Sequence, residues 1–381
     1  MSNRAVISLL ALATFLFSIA TLSLATEAVE LTRHLVPSIY VFGDSIVDVG
    51  NNNFLPPPAP RAKSPYGIDS PASITGRFTN GYNIADLVAR RLGFMKSAFA
   101  SPPAYLSLTP ETSHDLLRCR VGVSYASGGS GILSTTGIGT LTLQKQVMLF
   151  YKTKSRMSCG WKLNYLLSKS LFLISAGGND FSAFSERGMA KEDALAYINS
   201  MVSTYVKYIN ALYKMGARRL GILDVPAIGC TPGARVPMMN GVCNDAANSM
   251  AQIFNKLLRV EVPRAVKTSM PGMKYSIRST YNVLIDLINK PFVAGLREVE
   301  RACCGSGTLN AEAMCSMPNT TYCMDRDEYM FWDKLHPTQA MYERGVMAIF
   351  YGSKKYADPI NFAGLIPSMN DTMTPPDVYS I

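Results

Sequence analysis

Short apolar runs bounded by glycine, proline or polar residues recur along the chain, at 38–42, 121–125, 171–175, 220–225 and 275–277. Runs this short and this continuously apolar read as strands buried on both faces, as in a parallel sheet. Between them the period changes. Ile84, Leu87, Val88 and Leu92 recur at three and four residues, the spacing of one helix face, and Gly93 stands where a left-handed cap would end the helix. Residues 193–215 and 245–270 are longer helical candidates, the second crossed by Pro263, which removes a backbone donor and kinks helices. Strands alternating with helices predict an α/β protein with helices on both faces of the sheet. Such sheets bind ligands beyond the carboxyl ends of their strands, so the residues that follow these runs are where chemistry is expected.

The 381 residues suit one large domain, expected over 33–356, with an irregular tail over 357–381. A hydrophobic content of 48% against 17% charged excludes a disordered, highly charged chain. Arg4, an apolar stretch over 6–24 and small residues at Ser23, Ala25 and Ala28 predict a signal peptide over 1–25, cleaved between 25 and 28. Glu27 and Glu30 follow it in place of a basic flank, so no stable membrane insertion is expected after cleavage, and the chain reads as secreted to the extracellular space or cell wall, with the vacuole as the alternative.

Secretion changes how the eight cysteines are read, because disulfides persist there. Cys230 and Cys243 bracket a short Gly/Pro-rich loop, while Cys303, Cys304, Cys315 and Cys323 crowd one segment. The adjacent Cys-Cys pair, with no C-x-x-C or paired histidines nearby, argues for disulfides over zinc. Cys119 and Cys159 remain as a fourth candidate pair, and the sequence leaves the connectivity open. Sequons at Asn319 and Asn370 fit the same route. The net charge of +10 comes from scattered Lys and Arg with no run of five. It reads as a solvated surface that suits an acidic cell-wall matrix; nucleic acid is not an expected partner.

The run at 38–42 leads directly into Gly43-Asp44-Ser45, followed by Asp48, Gly50 and three asparagines, Asn51 to Asn53. A serine hydroxyl becomes a useful nucleophile only on an exposed turn beside a general base. Near the other end lies Asp333-Lys334-Leu335-His336-Pro337. An Asp three residues before a His can reach the same side of one turn, where it orients the ring and fixes its tautomer. Pro337 disfavours helix at His336, so a loop should present the ring ahead of a final helix. His34 and His114 are the only other histidines, one near the start of the expected mature chain and one in a polar loop, which leaves His336 as the best base. Oxyanion donors are sought after two further strands, at Gly128-Gly129 and at Gly177-Gly178-Asn179-Asp180. Alone, each of these motifs is an ordinary turn or a surface histidine held by its neighbour.

Taken together and in order, they resemble the plant GDSL esterase/lipases within the SGNH hydrolases. The likeness also covers Thr75-Gly76-Arg77-Phe78-Thr79-Asn80-Gly81, the stretch from Asp224 to Pro232 and the cysteine-rich segment. The resemblance implies a three-layer α/β/α flavodoxin-like fold and hydrolysis of small-molecule or polymer-borne carboxylic esters of lipid, cuticular or acetylated-polysaccharide type. It implies Ser45 as nucleophile, His336 as base and Asp333 as its orienting carboxylate. The backbone N–H groups of Ser45 and Gly129 and the Asn179 side chain would hold the oxyanion, with Gly128 the alternative to Gly129. There is no G-x-S-x-G elbow, and no dinucleotide, P-loop or metal-protease signature, so no cofactor and no metal are expected. Two other readings keep the same residues: acyl transfer to an alcohol, and a non-catalytic wall or lipid-binding protein. Ser124 and Gln339 depart from the family's usual Asn and Glu.

Overall fold

The computed structural model describes residues 35–70, 76–94, 101–119 and 121–367. The predicted signal segment and Asn370 lie outside them. Five parallel strands and one antiparallel strand form the central sheet: β1 (Ile39–Gly43), β2 (Val123–Ser124), β3 (Leu171–Ser175), β4 (Arg219–Leu223), β5 (Lys274–Arg278) and β6 (Ala357–Pro359). Their spatial order is β6-β5-β4-β3-β1-β2. The parallel part, 2-1-3-4-5, is the flavodoxin-like order, in which the order of winding reverses beside β1.

Seven helices of eight residues or more are described: α1 (Ile84–Arg91), α2 (Leu143–Arg156), α3 (Gly178–Glu186), α4 (Ala194–Lys214), α5 (Asp245–Ser269), α6 (Thr280–Asn289) and α7 (Gln339–Tyr351). Alternate strand residues divide the core into two layers. Tyr40, Phe42, Phe172, Ile174, Leu220 and Ile222 face Phe150 of α2, Met201 of α4 and Phe254 of α5. Val41, Leu171, Leu173 and Leu223 face Val88 of α1 and Ile349 of α7. Asn83 caps α1 in a reciprocal box with Asp86, and α5 continues through Pro263 as one element.

The tail expected to be irregular from 357 is ordered in its first part. β6 pairs antiparallel with β5, and a turn at Phe362–Leu365 inserts Phe362 into the core. Gly221 makes the room, since a Cβ there would stand 2.6 Å from the Phe362 ring. Ala-Asp-Pro carries neither alternation nor β-branched residues, so only pairing with β5 makes it a strand. Four disulfides join Cys119–Cys159, Cys230–Cys243, Cys303–Cys323 and Cys304–Cys315. Among the described residues no helix is long and apolar enough to cross a membrane.

Candidate active site

Ser45 sits just past the carboxyl end of β1, at an abrupt turn. Gly43 takes φ +137°, and a Cβ there would lie 1.9 Å from the Ser175 carbonyl oxygen, so β1 and β3 approach too closely for any side chain. Gln146 of α2 clamps the same residue, accepting from the Gly43 N–H at 2.7 Å and donating to the Gly43 carbonyl at 2.8 Å. The Asp44 carboxylate accepts the Ile46 N–H and its carbonyl accepts the Val47 N–H, which closes the turn around Ser45.

The loop 333–337 is shaped by Asp333 itself. One carboxylate oxygen accepts the Leu335 and His336 backbone N–H groups, both at 2.7 Å, an arrangement that curls the chain back and brings the imidazole onto the same carboxylate. His336 Nδ1 lies 2.8 Å from Asp333 Oδ2, and His336 Nε2 lies 2.8 Å from Ser45 Oγ. Asp333 is fully buried and His336 is 6% exposed. Burial alone would raise the Asp333 carboxyl. The His336 ring, the Tyr66 hydroxyl and the Leu335 N–H outweigh it and hold the group below the usual carboxylate range. An ionised Asp333 places the imidazole proton on Nδ1, which leaves Nε2 to accept the Ser45 hydroxyl proton.

Three of the sequence-selected residues, 291 positions apart at the extremes of the dyad, therefore form one hydrogen-bonded series, Ser45 to His336 to Asp333. The glycine pair is also tied to the Ser45 turn. Asp48 accepts the Gly128 N–H at 2.9 Å, and Ser127 N–H and Ser130 Oγ both donate to the Gly43 carbonyl. Asn51 donates to the Ser124 and Ala126 carbonyls, and Asn52 to that of Gly128. With the Gly128 amide engaged by Asp48, the amides of Ser45 and Gly129 are among those in these turns that meet no acceptor among the described residues. Asn179, near the start of α3, gives one amide hydrogen to the Ser130 carbonyl at 3.0 Å and keeps a second. Asp180 braces this region by accepting the Ile132 and Leu133 N–H groups. Burial pushes the Asp44 carboxyl up to about 7 and that of Asp48 up to about 6.

Sequence reasoning missed several contributors. Tyr66 donates to Asp333 Oδ2 at 2.6 Å, and its burial, reinforced by the carboxylate, keeps the phenol protonated. The Phe78 ring lies over the His336 imidazole with centroids 5.2 Å apart. Phe78 belongs to a stretch that carried the resemblance, but nothing in the local pattern of Tyr66 or Gln146 marks them. The cysteine-rich segment supports the loop from behind: Cys303, Cys304 and Cys315 pack with Trp332, and Cys304 N–H donates to the Trp332 carbonyl. Of the two departures, Gln339 still supplies an acceptor, to the Tyr82 N–H at 2.7 Å, whereas the buried Ser124 hydroxyl has no partner among the described residues. No group of three His, Cys, Asp or Glu able to hold a metal occurs among the described residues, and Asn319 is exposed.

The sequence profile of a family described as GDSL-like Lipase/Acylhydrolase matches residues 39–349. Two curated proteins of Arabidopsis thaliana, both named GDSL esterase/lipase, are similar over most of their length. One is 34% identical, covering 90% of this chain and 95% of its own; the other is 35% identical, covering 83% and 88%. Among solved structures, an acetylxylan esterase from Geobacillus stearothermophilus is 12% identical with a TM-score of 0.36, covering 81% of this chain and 92% of its own.

Proposed function

The chain belongs to the GDSL-like lipase/acylhydrolase family and is a carboxylic ester hydrolase, and from that premise we propose that it works through an acyl-enzyme on Ser45, with His336 as base and Asp333 as the orienting carboxylate. The observation that carries this reading is the 2.8 Å approach of His336 Nε2 to Ser45 Oγ, with the other ring nitrogen held by a buried carboxylate. Ser45 Oγ attacks the ester carbonyl as Nε2 takes its proton. The developing oxyanion is received by the Ser45 and Gly129 N–H groups and the Asn179 amide, donors fixed before the reaction begins. His336 returns the proton to the departing alkoxide, leaving Ser45 acylated. Water then attacks the acyl group, losing its proton to the same nitrogen; the bond to Ser45 Oγ breaks, Oγ takes that proton back from His336, and the carboxylic acid leaves and ionises in solvent.

The four disulfides support action outside the cell, and the positive net charge suits an acidic wall matrix; esters of lipid, cuticle or acetylated polysaccharide are the substrates proposed there. The test is hydrolysis of a short-chain aryl ester by the mature protein beside Ser45→Ala, with a fluorophosphonate label mapped by peptide analysis. Wild-type turnover, its loss in the variant and a label on Ser45 are expected. Equal rates in the two proteins, or a label on another serine, would refute the assignment.

A further inference from the structure

Beyond the carboxyl ends of β3, β4 and β5, and behind the 333–337 loop, lies a cavity of about 60 Å³. Its wall is mostly apolar, with Ile46, Leu223, Leu284 and Met341 among the lining residues. Two polar side chains in that wall lack the partners that buried polar groups need. Arg278, the last residue of β5, is 3% exposed, and its Nε meets no hydrogen-bond partner among the described residues. The carboxylate whose charge bears on it, Asp224, is already engaged: one oxygen accepts Arg259 Nη2 at 2.7 Å and the other accepts the Thr280 and Tyr281 N–H groups. Tyr342 of α7 is 6% exposed, and its hydroxyl likewise has no partner.

We propose that this cavity is a binding site for a small carboxylate, clamped by Arg278 and Tyr342. A buried cation whose one facing carboxylate, Asp224, is already shared with Arg259 and two backbone N–H groups is under-compensated, and an anion taken from solution reduces the imbalance. A single guanidinium matches a monoanion better than a phosphate dianion, and its planar fork suits the two oxygens of a carboxylate. The Tyr342 hydroxyl supplies a further donor, and the apolar wall receives the alkyl end. Size limits that end: an apolar cavity that takes benzene measures about 150 Å³, so formate and acetate fit here while benzoate does not. The site needs no turnover at Ser45 and stands apart from the ester-hydrolysis reading, although that reaction itself releases carboxylates.

The experiment is thermal unfolding of the full folded protein in sodium acetate, formate, benzoate and chloride at matched ionic strength and neutral pH. Acetate and formate are expected to raise the midpoint saturably, and chloride and benzoate not to. Arg278→Met should weaken the acetate effect by about tenfold or more, the loss of a charge-assisted hydrogen bond, and Tyr342→Phe by several-fold. Because Arg278→Met removes a buried charge that Asp224, shared with Arg259, compensates only in part, its ligand-free midpoint should stay close to wild type. If that variant nevertheless fails to fold, Tyr342→Phe carries the test. A wild type that responds to acetate no more than to chloride has water in the cavity and overturns the proposal. So does an undiminished acetate response in Arg278→Met or, failing that variant, in Tyr342→Phe.

Discussion

Replacing Asp333 by Asn changes one oxygen for an amide nitrogen, and the surrounding donors decide which way the new group turns. Asp333 Oδ1 accepts two backbone N–H groups at 2.7 Å, from Leu335 and His336. Those donors are fixed in the chain, so the Asn oxygen must occupy the Oδ1 position and the NH₂ must take the place of Oδ2. There it faces the Tyr66 hydroxyl, which can rotate to accept, and His336 Nδ1, which can accept only by giving up its proton. The imidazole proton then moves to Nε2 and points at Ser45 Oγ, 2.8 Å away, where a lone pair is required. A triad base in the wrong tautomer loses about 10⁴ in kcat, equivalent to about 5 kcal/mol of barrier. The loop should survive, because both backbone bonds to the side-chain oxygen remain. The assay is kcat for a p-nitrophenyl ester together with the rate of fluorophosphonate labelling, on protein whose circular dichroism matches wild type. An Asp333→Asn protein that retains kcat within tenfold would refute both the tautomer argument and the role given to Asp333.

Asn179→Ala is expected to lower kcat by about 10²–10³ with little change in KM, the loss of one oxyanion donor; a change confined to KM would place Asn179 in substrate binding instead. Gly43→Ala should cost more than about 3 kcal/mol or abolish folding, since the added Cβ meets the Ser175 carbonyl at 1.9 Å in paired strands that cannot part; urea unfolding decides it, and a loss under 1 kcal/mol contradicts the packing. Burial raises the Asp44 carboxyl to about 7, so the folded state holds its proton more tightly than the unfolded state does. Its contribution to stability is full below the unfolded pKa near 4 and is lost as pH rises to 7, at up to about 1.4 kcal/mol per pH unit. Asp44→Asn cannot titrate, so its stability curve should fall less steeply over that window; parallel curves would show that Asp44 titrates normally.

The apolar runs located all five parallel strands, because strands covered by helices on both faces are built largely from apolar residues and their short runs are bounded by glycine, proline or polar residues. They could not reveal β6, whose Ala-Asp-Pro forms a strand only because β5 offers it an edge. The local spacing of Asp333 and His336 likewise announced a carboxylate-imidazole pair, since a three-residue turn is set by nearby backbone alone. What the sequence determined by itself was therefore the alternation of strands and helices and the candidate residues for the proposed chemistry. Only the tertiary structure decided their partnership: that Ser45 meets His336 across 291 residues, that Tyr66 donates to Asp333, that Gln146 clamps Gly43, and that the Gly128 amide is engaged while that of Gly129 meets no acceptor among the described residues. Those contacts join segments with no shared periodicity, and their geometry is set by how the two core layers pack against the sheet, which no window of sequence contains.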